Sequence, residues 1–148
     1  MKRNSRLSAV LHLLLHMGEA GERALTSEQL AAFIHTNAVV VRRIIAGLRE
    51  TGIVVSERGP GGGWRLGRPL GEITLAEIST TLGESLVPIS LEPESPGCLV
   101  EEAVLSALTD FRREAEQLLL ARLARITLAD LAPNFSRHRK TGTHIHAV

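Results

Sequence analysis

Apolar residues near the start of the chain recur with a helical period. Leu7, Val10, Leu11, Leu14 and Leu15 share one face, which predicts an amphipathic helix from about Ser5 to Met17, ended by Gly18 and Gly21. A second helix start follows at Thr26. Its hydroxyl suits an N-cap, Gln29 three residues later completes a capping box, and Leu25 is placed to staple against Leu30. Leu30, Ala31, Phe33 and Ile34 carry that helix to about His35. After a tight turn at Thr36, Asn37 caps a third helix. There Val41, Ile44, Ile45 and Leu48 form one buried stripe, and Gly52 supplies the stop.

The period then changes to that of strands. Ile53–Glu57 and Trp64–Leu66 flank Arg58-Gly-Pro-Gly-Gly-Gly63, and a glycine-dense hairpin of this kind, set directly behind two short helices, predicts a wing. Thr74 caps a further helix, Leu75 to about Leu82, ended by Gly83. Three prolines, Pro88, Pro93 and Pro96, make the following stretch a loop. From Cys98 to Arg125 neither Gly nor Pro occurs, and Val100, Val104, Ala107, Leu108, Phe111, Ala115, Leu118 and Leu119 sustain an apolar face. A helix of 28 residues is about 42 Å long. So small a domain cannot cover that face alone, so Val104, Leu108, Phe111, Leu118 and Leu119 are expected to meet a second copy. Thr127 caps a last short helix, Leu128–Leu131, stopped by Pro133.

The expected fold is mainly α: a winged helix-turn-helix with a two-stranded wing, plus a long C-terminal dimerisation helix. Its divisions are a DNA-binding domain at 1–83, a loop at 84–97, the dimerisation helix and short terminal helix at 98–132, and a flexible basic tail at 133–148.

Charge gives this architecture a partner. The chain of 148 residues carries a formal charge of only +1. Residues 1–70 hold ten basic and five acidic groups, a balance of +5; residues 71–132 hold four and eleven, a balance of −7; the tail adds +3. The positive part coincides with the helix-turn-helix and wing, which points to a polyanion. Aromatic residues are 3% of the chain, with no Tyr, so stacking on single-stranded nucleic acid is not expected and double-stranded DNA is. No apolar run is long enough to span a bilayer, and His12 and His16 interrupt the first one, so no membrane partner and no signal peptide are expected; the cytoplasm is the default compartment.

On the third helix the buried stripe leaves Ala38, Val39, Arg42, Arg43 and Arg49 on or near the outer face. The first turns of a recognition helix enter the major groove deepest. Arg42 or Arg43 can pair with guanine there, and Val39 or Val40 can touch a thymine methyl. Arg58, at the wing tip between Glu57 and Gly59, is placed for the narrow minor groove. Lys2, Arg3, Arg6 and Arg65 would serve phosphates, and Thr26, Asn37, Gly59 and Gly61 complete the expected interface.

Together these residues carry a resemblance. Ser5-Arg-Leu-Ser-Ala-Val-Leu-His12, Thr26-Ser-Glu-Gln-Leu30, Val41-Arg-Arg-Ile-Ile-Ala-Gly-Leu48, Arg58-Gly-Pro-Gly-Gly-Gly-Trp-Arg-Leu66 and Glu72-Ile-Thr-Leu75 resemble the Rrf-two (Rrf2) family of bacterial winged-helix transcription regulators. The resemblance runs through Ile126-Thr-Leu-Ala-Asp-Leu131 and leaves only the tail uncovered. It implies a homodimer built on the long helix that binds a roughly palindromic operator, with Asn37 to Arg43 facing DNA and Arg58 in the minor groove. The family includes iron–sulfur-cluster regulators, which place three cysteines before the long helix and carry a hydroxyl and an aromatic residue where this chain has Val39 and Val40. This chain has one cysteine, Cys98, and its histidines fall apart into His12, His16 and His35 at one end and His138, His144 and His146 at the other. A cluster needs about four protein ligands, so no cofactor is expected, and the chain resembles the cluster-free branch.

Cys98 has two readings. Behind Gly97 at a helix N-terminus a thiol can become a reactive thiolate and sense an oxidant; Glu101 and Glu102 oppose ionisation, and a small semi-buried residue is the bland alternative. A redox or protein-partner sensor acting through Cys98 is thus the alternative function, and any effector, small molecule or oxidant, is unidentified. No general base stands at a recognisable spacing from Cys98, so no enzyme is expected. His12 and His16, four residues apart, could share a metal but lack a third ligand, so packing is expected of them. The glycine run lacks the Gly-Lys-Ser/Thr of a phosphate loop. Trp64 is expected to anchor the wing on the core rather than stack on a base.

Overall fold

A computed structural model of the chain describes residues 3–89, 91, 92, 95 and 97–133. The expected tail therefore lies, apart from Pro133, outside the described residues. Five α-helices and one hairpin follow in the order α1 (Arg3–Ala20), α2 (Ser27–Phe33), α3 (Ala38–Glu50), β1 (Val54–Glu57), β2 (Gly63–Leu66), α4 (Leu75–Leu82) and α5 (Leu99–Leu123). Three of the caps are those the sequence specifies. Thr26 Oγ1 accepts from Gln29 N while Gln29 Oε1 accepts from Thr26 N, closing the capping box. Asn37 Oδ1 accepts from Val40 N, and Thr74 Oγ1 from Glu77 N. Gly83 ends α4 in the left-handed conformation, φ 63°.

The first helix runs three residues further than its glycine suggests. Gly18 lies inside α1, where a Cβ would stand 2.9 Å from both methyl carbons of Leu70. The missing side chain there serves packing: the residues of a 3-10 turn, Leu70–Glu72, close on the helix. Gly21, with φ 61°, is the actual stop.

One core joins the pieces. Val10, Leu13, Leu14 and Met17 from α1 meet Leu30 and Ala31 from α2, and Val41, Ile44, Ile45 and Leu48 from α3, all buried. Ile53, Val54, Ile73, Leu75 and Ile78 close the cluster. The strands pair antiparallel, Val54 with Leu66 and Glu57 with Gly63. On its other edge β2 exchanges two backbone bonds with residue 25: Leu25 N donates to Trp64 O at 2.9 Å, and Trp64 N to Leu25 O at 2.8 Å. This close approach needs Gly63, because a Cβ there would collide with the Leu25 carbonyl.

The chain returns to this core after α5. Thr74 and Thr127 form a bridge in which Leu75 N donates to Ile126 O and Leu128 N to Ile73 O. Leu128 is fully buried in the cluster that holds α1 to α4. Residues 128–133 are helical, so Pro133 lies within this helix rather than after it.

Helix α5 is 25 residues long, about 37 Å. Unlike the other helices it has no buried residue. Leu99, Val100, Val104, Leu108, Phe111, Leu118 and Leu119 are all exposed. Among the described residues, no single helix is long and apolar enough to cross a membrane.

Candidate nucleic-acid interface

The axes of α2 and α3 turn by 101° across a break of four residues, the geometry of a helix-turn-helix. His35 occupies the break with φ 50°, a conformation few side chains adopt, and so tightens the turn. The buried stripe of α3 fixes which way the helix faces. With Val41, Ile44, Ile45 and Leu48 turned inward, Val39, Arg42, Arg43 and Arg49 stand exposed. Val39 and Val40 part company: Val39 is 62% exposed in the first turn, whereas Val40 is half-buried against the core. Ala38 is half-buried beside them and Asn37 is exposed.

The basic residues divide by their partners. Arg42 is tied to α2, its Nη2 lying 2.9 Å from Glu28 Oε1. Glu28 sits below the usual carboxylate range because its own backbone N–H and the Thr26 hydroxyl bond to it, with Arg42 adding to the effect. Arg65 pairs with Glu57 across the wing strands and also donates to Leu66 O at 3.2 Å. Arg6, a candidate phosphate ligand, instead meets Glu84, just after α4, at 3.1 Å. Arg43 and Arg58 form no ion pair among the described residues, and both are exposed. Arg58 stands at the start of the wing loop, where Gly59 and Gly61 take positive φ of 95° and 76°.

The wing is fastened to the helix-turn-helix. Trp64 is half-buried, packs against the core and donates its Nε1 hydrogen to Ser27 Oγ at 2.9 Å. The anchor expected of Trp64 is therefore what the structure contains, and its polar partner Ser27 is a residue the sequence did not mark. Glu28 and Glu57 were also unmarked. The Glu57–Arg65 pair follows once strand register is known; the Glu28–Arg42 pair depends on the angle between two helices.

The histidines near this module pack rather than converge. His16 stacks on Phe33, ring centroids 3.7 Å apart and nearly parallel, and His12 lies 4.8 Å from His16. Burial and the nearby His35 lower the pKa of His12. Among the described residues no group of three His, Cys, Asp or Glu side chains could hold a metal ion. Cys98, exposed at the N-cap of α5, makes no capping bond with its side chain.

A family profile described as Rrf2, Iron-dependent Transcriptional regulator, matches residues 3–134. The chain belongs to the Rrf2 family. It is therefore a member of a family of DNA-binding winged-helix transcription regulators, and the family's character is regulatory rather than enzymatic. It is 29% identical over 130 residues to YwnA of Bacillus subtilis, named as an HTH-type transcriptional regulator, covering 86% of this chain and 95% of that one. It is 31% identical over 94 residues to the HTH-type transcriptional regulator IscR of Cronobacter sakazakii, covering 64% of this chain and 56% of the relative. The structure of CymR, the global cysteine regulator of B. subtilis, superposes with a TM-score of 0.60 at 23% identity, over 90% of this chain and 95% of the other. The Rrf2 description names iron. Among the described residues, Cys98 has no second or third ligand gathered around it that would hold iron.

Proposed function

We propose that the protein is a homodimeric, sequence-specific repressor of transcription that works in the cytoplasm without an iron–sulfur cluster. The observation that carries this reading is the joint placement of α3 and the wing. The helix-turn-helix and the wing, joined through Trp64 and Ser27, carry Val39 and Arg43 on the first turns of α3 and Arg58 at the wing, with both arginines outside any ion pair among the described residues. An exposed valine beside an unpaired arginine suits a thymine methyl next to a guanine in the major groove. A single arginine on a glycine loop suits the minor groove. The uncovered apolar side of α5, with Val104, Leu108, Phe111, Leu118 and Leu119, supports a second copy packed along it, which would set two reading heads on a palindromic site.

Electrophoretic mobility shift with the DNA upstream of the protein's own gene tests the proposal. Retardation that weakens steeply as salt rises is expected, because phosphate neutralisation releases counterions. Absence of any shift at low salt, with the protein reduced or oxidised, would overturn it.

The exposure of Cys98 favours a second reading, in which oxidation of this thiol regulates DNA binding. A Cys98→Ser protein whose DNA binding responds to peroxide as the wild type does would end that reading.

A further inference from the structure

Helix α3 carries two opposed stripes. Val41, Ile44, Ile45 and Leu48 fill the core, while Val39, Arg43, Ala46 and Glu50, at i, i+4, i+7 and i+11, stand exposed on the opposite side. The surroundings of this outward stripe limit which base edges it can read. Direct readout of adenine takes both the oxygen and the nitrogen of a side-chain amide. The two amides at the front of the module have their oxygens committed as caps: Gln29 Oε1 accepts from Thr26 N at 2.9 Å, and Asn37 Oδ1 accepts from Val40 N at 3.1 Å. Neither can form a bidentate pair with adenine while its helix stays capped. Of the two arginines on the first turns, Arg42 is held by Glu28 at 2.9 Å, whereas Arg43 forms no ion pair among the described residues. Glu50 lies about 16 Å along the axis from Val39, beyond the turns that enter a groove deepest. What remains at the front of the stripe is one guanidinium and, a turn before it, a valine 62% exposed. The base-edge group complementary to an exposed isopropyl group is the C5 methyl of a pyrimidine.

We propose that Val39 is a specificity-determining residue that reads the C5 methyl group of a pyrimidine, so that the protein tells thymine from uracil, and 5-methylcytosine from cytosine, at one base position. The proposal rests on the DNA-binding reading and deepens it. Val39 has no hydrogen-bonding group, so it is blind to the difference between O4 of thymine and the N4 amino group of cytosine, and the methyl is all that it contacts. Methylation of a cytosine at this position therefore strengthens binding.

The full-length protein is used to select its preferred duplex from a random pool. Fluorescence anisotropy then follows binding to that duplex at fixed salt, with each thymine replaced in turn by deoxyuridine. At least one replacement is expected to weaken binding about fourfold, the contribution of one buried methyl group. Placing C·G at that pair should weaken binding, and 5-methylation of the new cytosine should recover about fourfold. Val39→Ala, which substitutes a better helix former, should bring both ratios below about twofold with an unchanged circular dichroism spectrum. Arg43→Ala should weaken binding yet keep both ratios. The proposal is overturned if no deoxyuridine replacement has an effect, if the losses persist in Val39→Ala, or if cytosine methylation changes nothing. In each of these cases the selected duplex still binds, and the DNA-binding reading stands. Failure to bind any duplex at low salt would remove both.

Discussion

Trp64 of the wing donates its indole hydrogen to Ser27 at the start of α2, 2.9 Å away. Ser27 is buried, 6% exposed, so the bond joins two parts of the interface through a protected contact. Trp64→Phe should cost about 1–2 kcal/mol, because it leaves a buried hydroxyl without its donor. Trp64→Ala should cost about 3 kcal/mol, because the ring's packing is lost as well. Urea unfolding followed by circular dichroism gives both values. Equal stability of the two variants would mean that the ring's packing contributes little.

Arg58 and Arg43 should differ in how their loss is felt. Arg58→Ala should weaken operator and unrelated DNA alike, and should lower the slope of log affinity against log salt by about one contact. Arg43→Ala should cost about 1–3 kcal/mol on the operator and relax the preference at one base pair. Fluorescence anisotropy across a salt series, with single-base operator variants, distinguishes the two. Arg58→Ala binding with wild-type affinity would remove the wing from the interface.

Glu28 restrains Arg42 from the neighbouring helix. Glu28→Gln removes a negative charge from the reading face and releases the guanidinium. Affinity for unrelated DNA should rise several-fold and the salt dependence should steepen. A fall in non-specific affinity would show that Glu28 positions Arg42 for DNA rather than withholding it.

The long helix should behave as an adhesive face. Phe111→Asp places a charge on the exposed apolar face that carries Val104, Leu108 and Leu118 and should convert a dimer to monomer, as measured by sedimentation velocity. Operator affinity should fall by more than tenfold with the loss of the second reading head. A Phe111→Asp protein that remains dimeric would place the interface elsewhere.

His12 predicts a pH dependence of stability. Its folded pKa is lowered, first by burial and then by His35, so the folded state disfavours the charged ring. At pH well above 6.5 the ring is neutral in both states and imposes no penalty. As pH falls through 6.5 the unfolded chain takes up the proton first, and stability declines until the folded pKa is passed. His12→Gln should flatten the loss of thermal stability between about pH 7 and pH 5. The carboxylates Glu28 and Asp130, whose pKa values are also lowered, lose their contributions only below about pH 4.5, outside that window.

Local signals carried most of the fold into the sequence. Caps at Thr26, Asn37 and Thr74 act over three residues, and the stripe of α3 is a matter of periodicity, so both are legible before any tertiary contact exists. Gly18 misleads because a glycine inside a helix and a glycine ending one look alike in sequence, and the difference is Leu70, some fifty residues away. The candidate interface is legible as a set of cations. Their pairing is not, since whether Arg6 is held by Glu84 and Arg42 by Glu28 depends on how distant segments meet. The half-open groove lined by Leu7, Ser79 and Leu86 likewise depends on three separate segments coming together.

The bridge between Thr74 and Thr127 has a consequence for synthesis. Leu128 belongs to the core of the DNA-reading unit, yet the ribosome makes it only after the whole of α5. A nascent chain cannot complete that core until the long helix has already emerged. The surface that would join two copies is thus present before either copy can finish the head with which it would grip DNA.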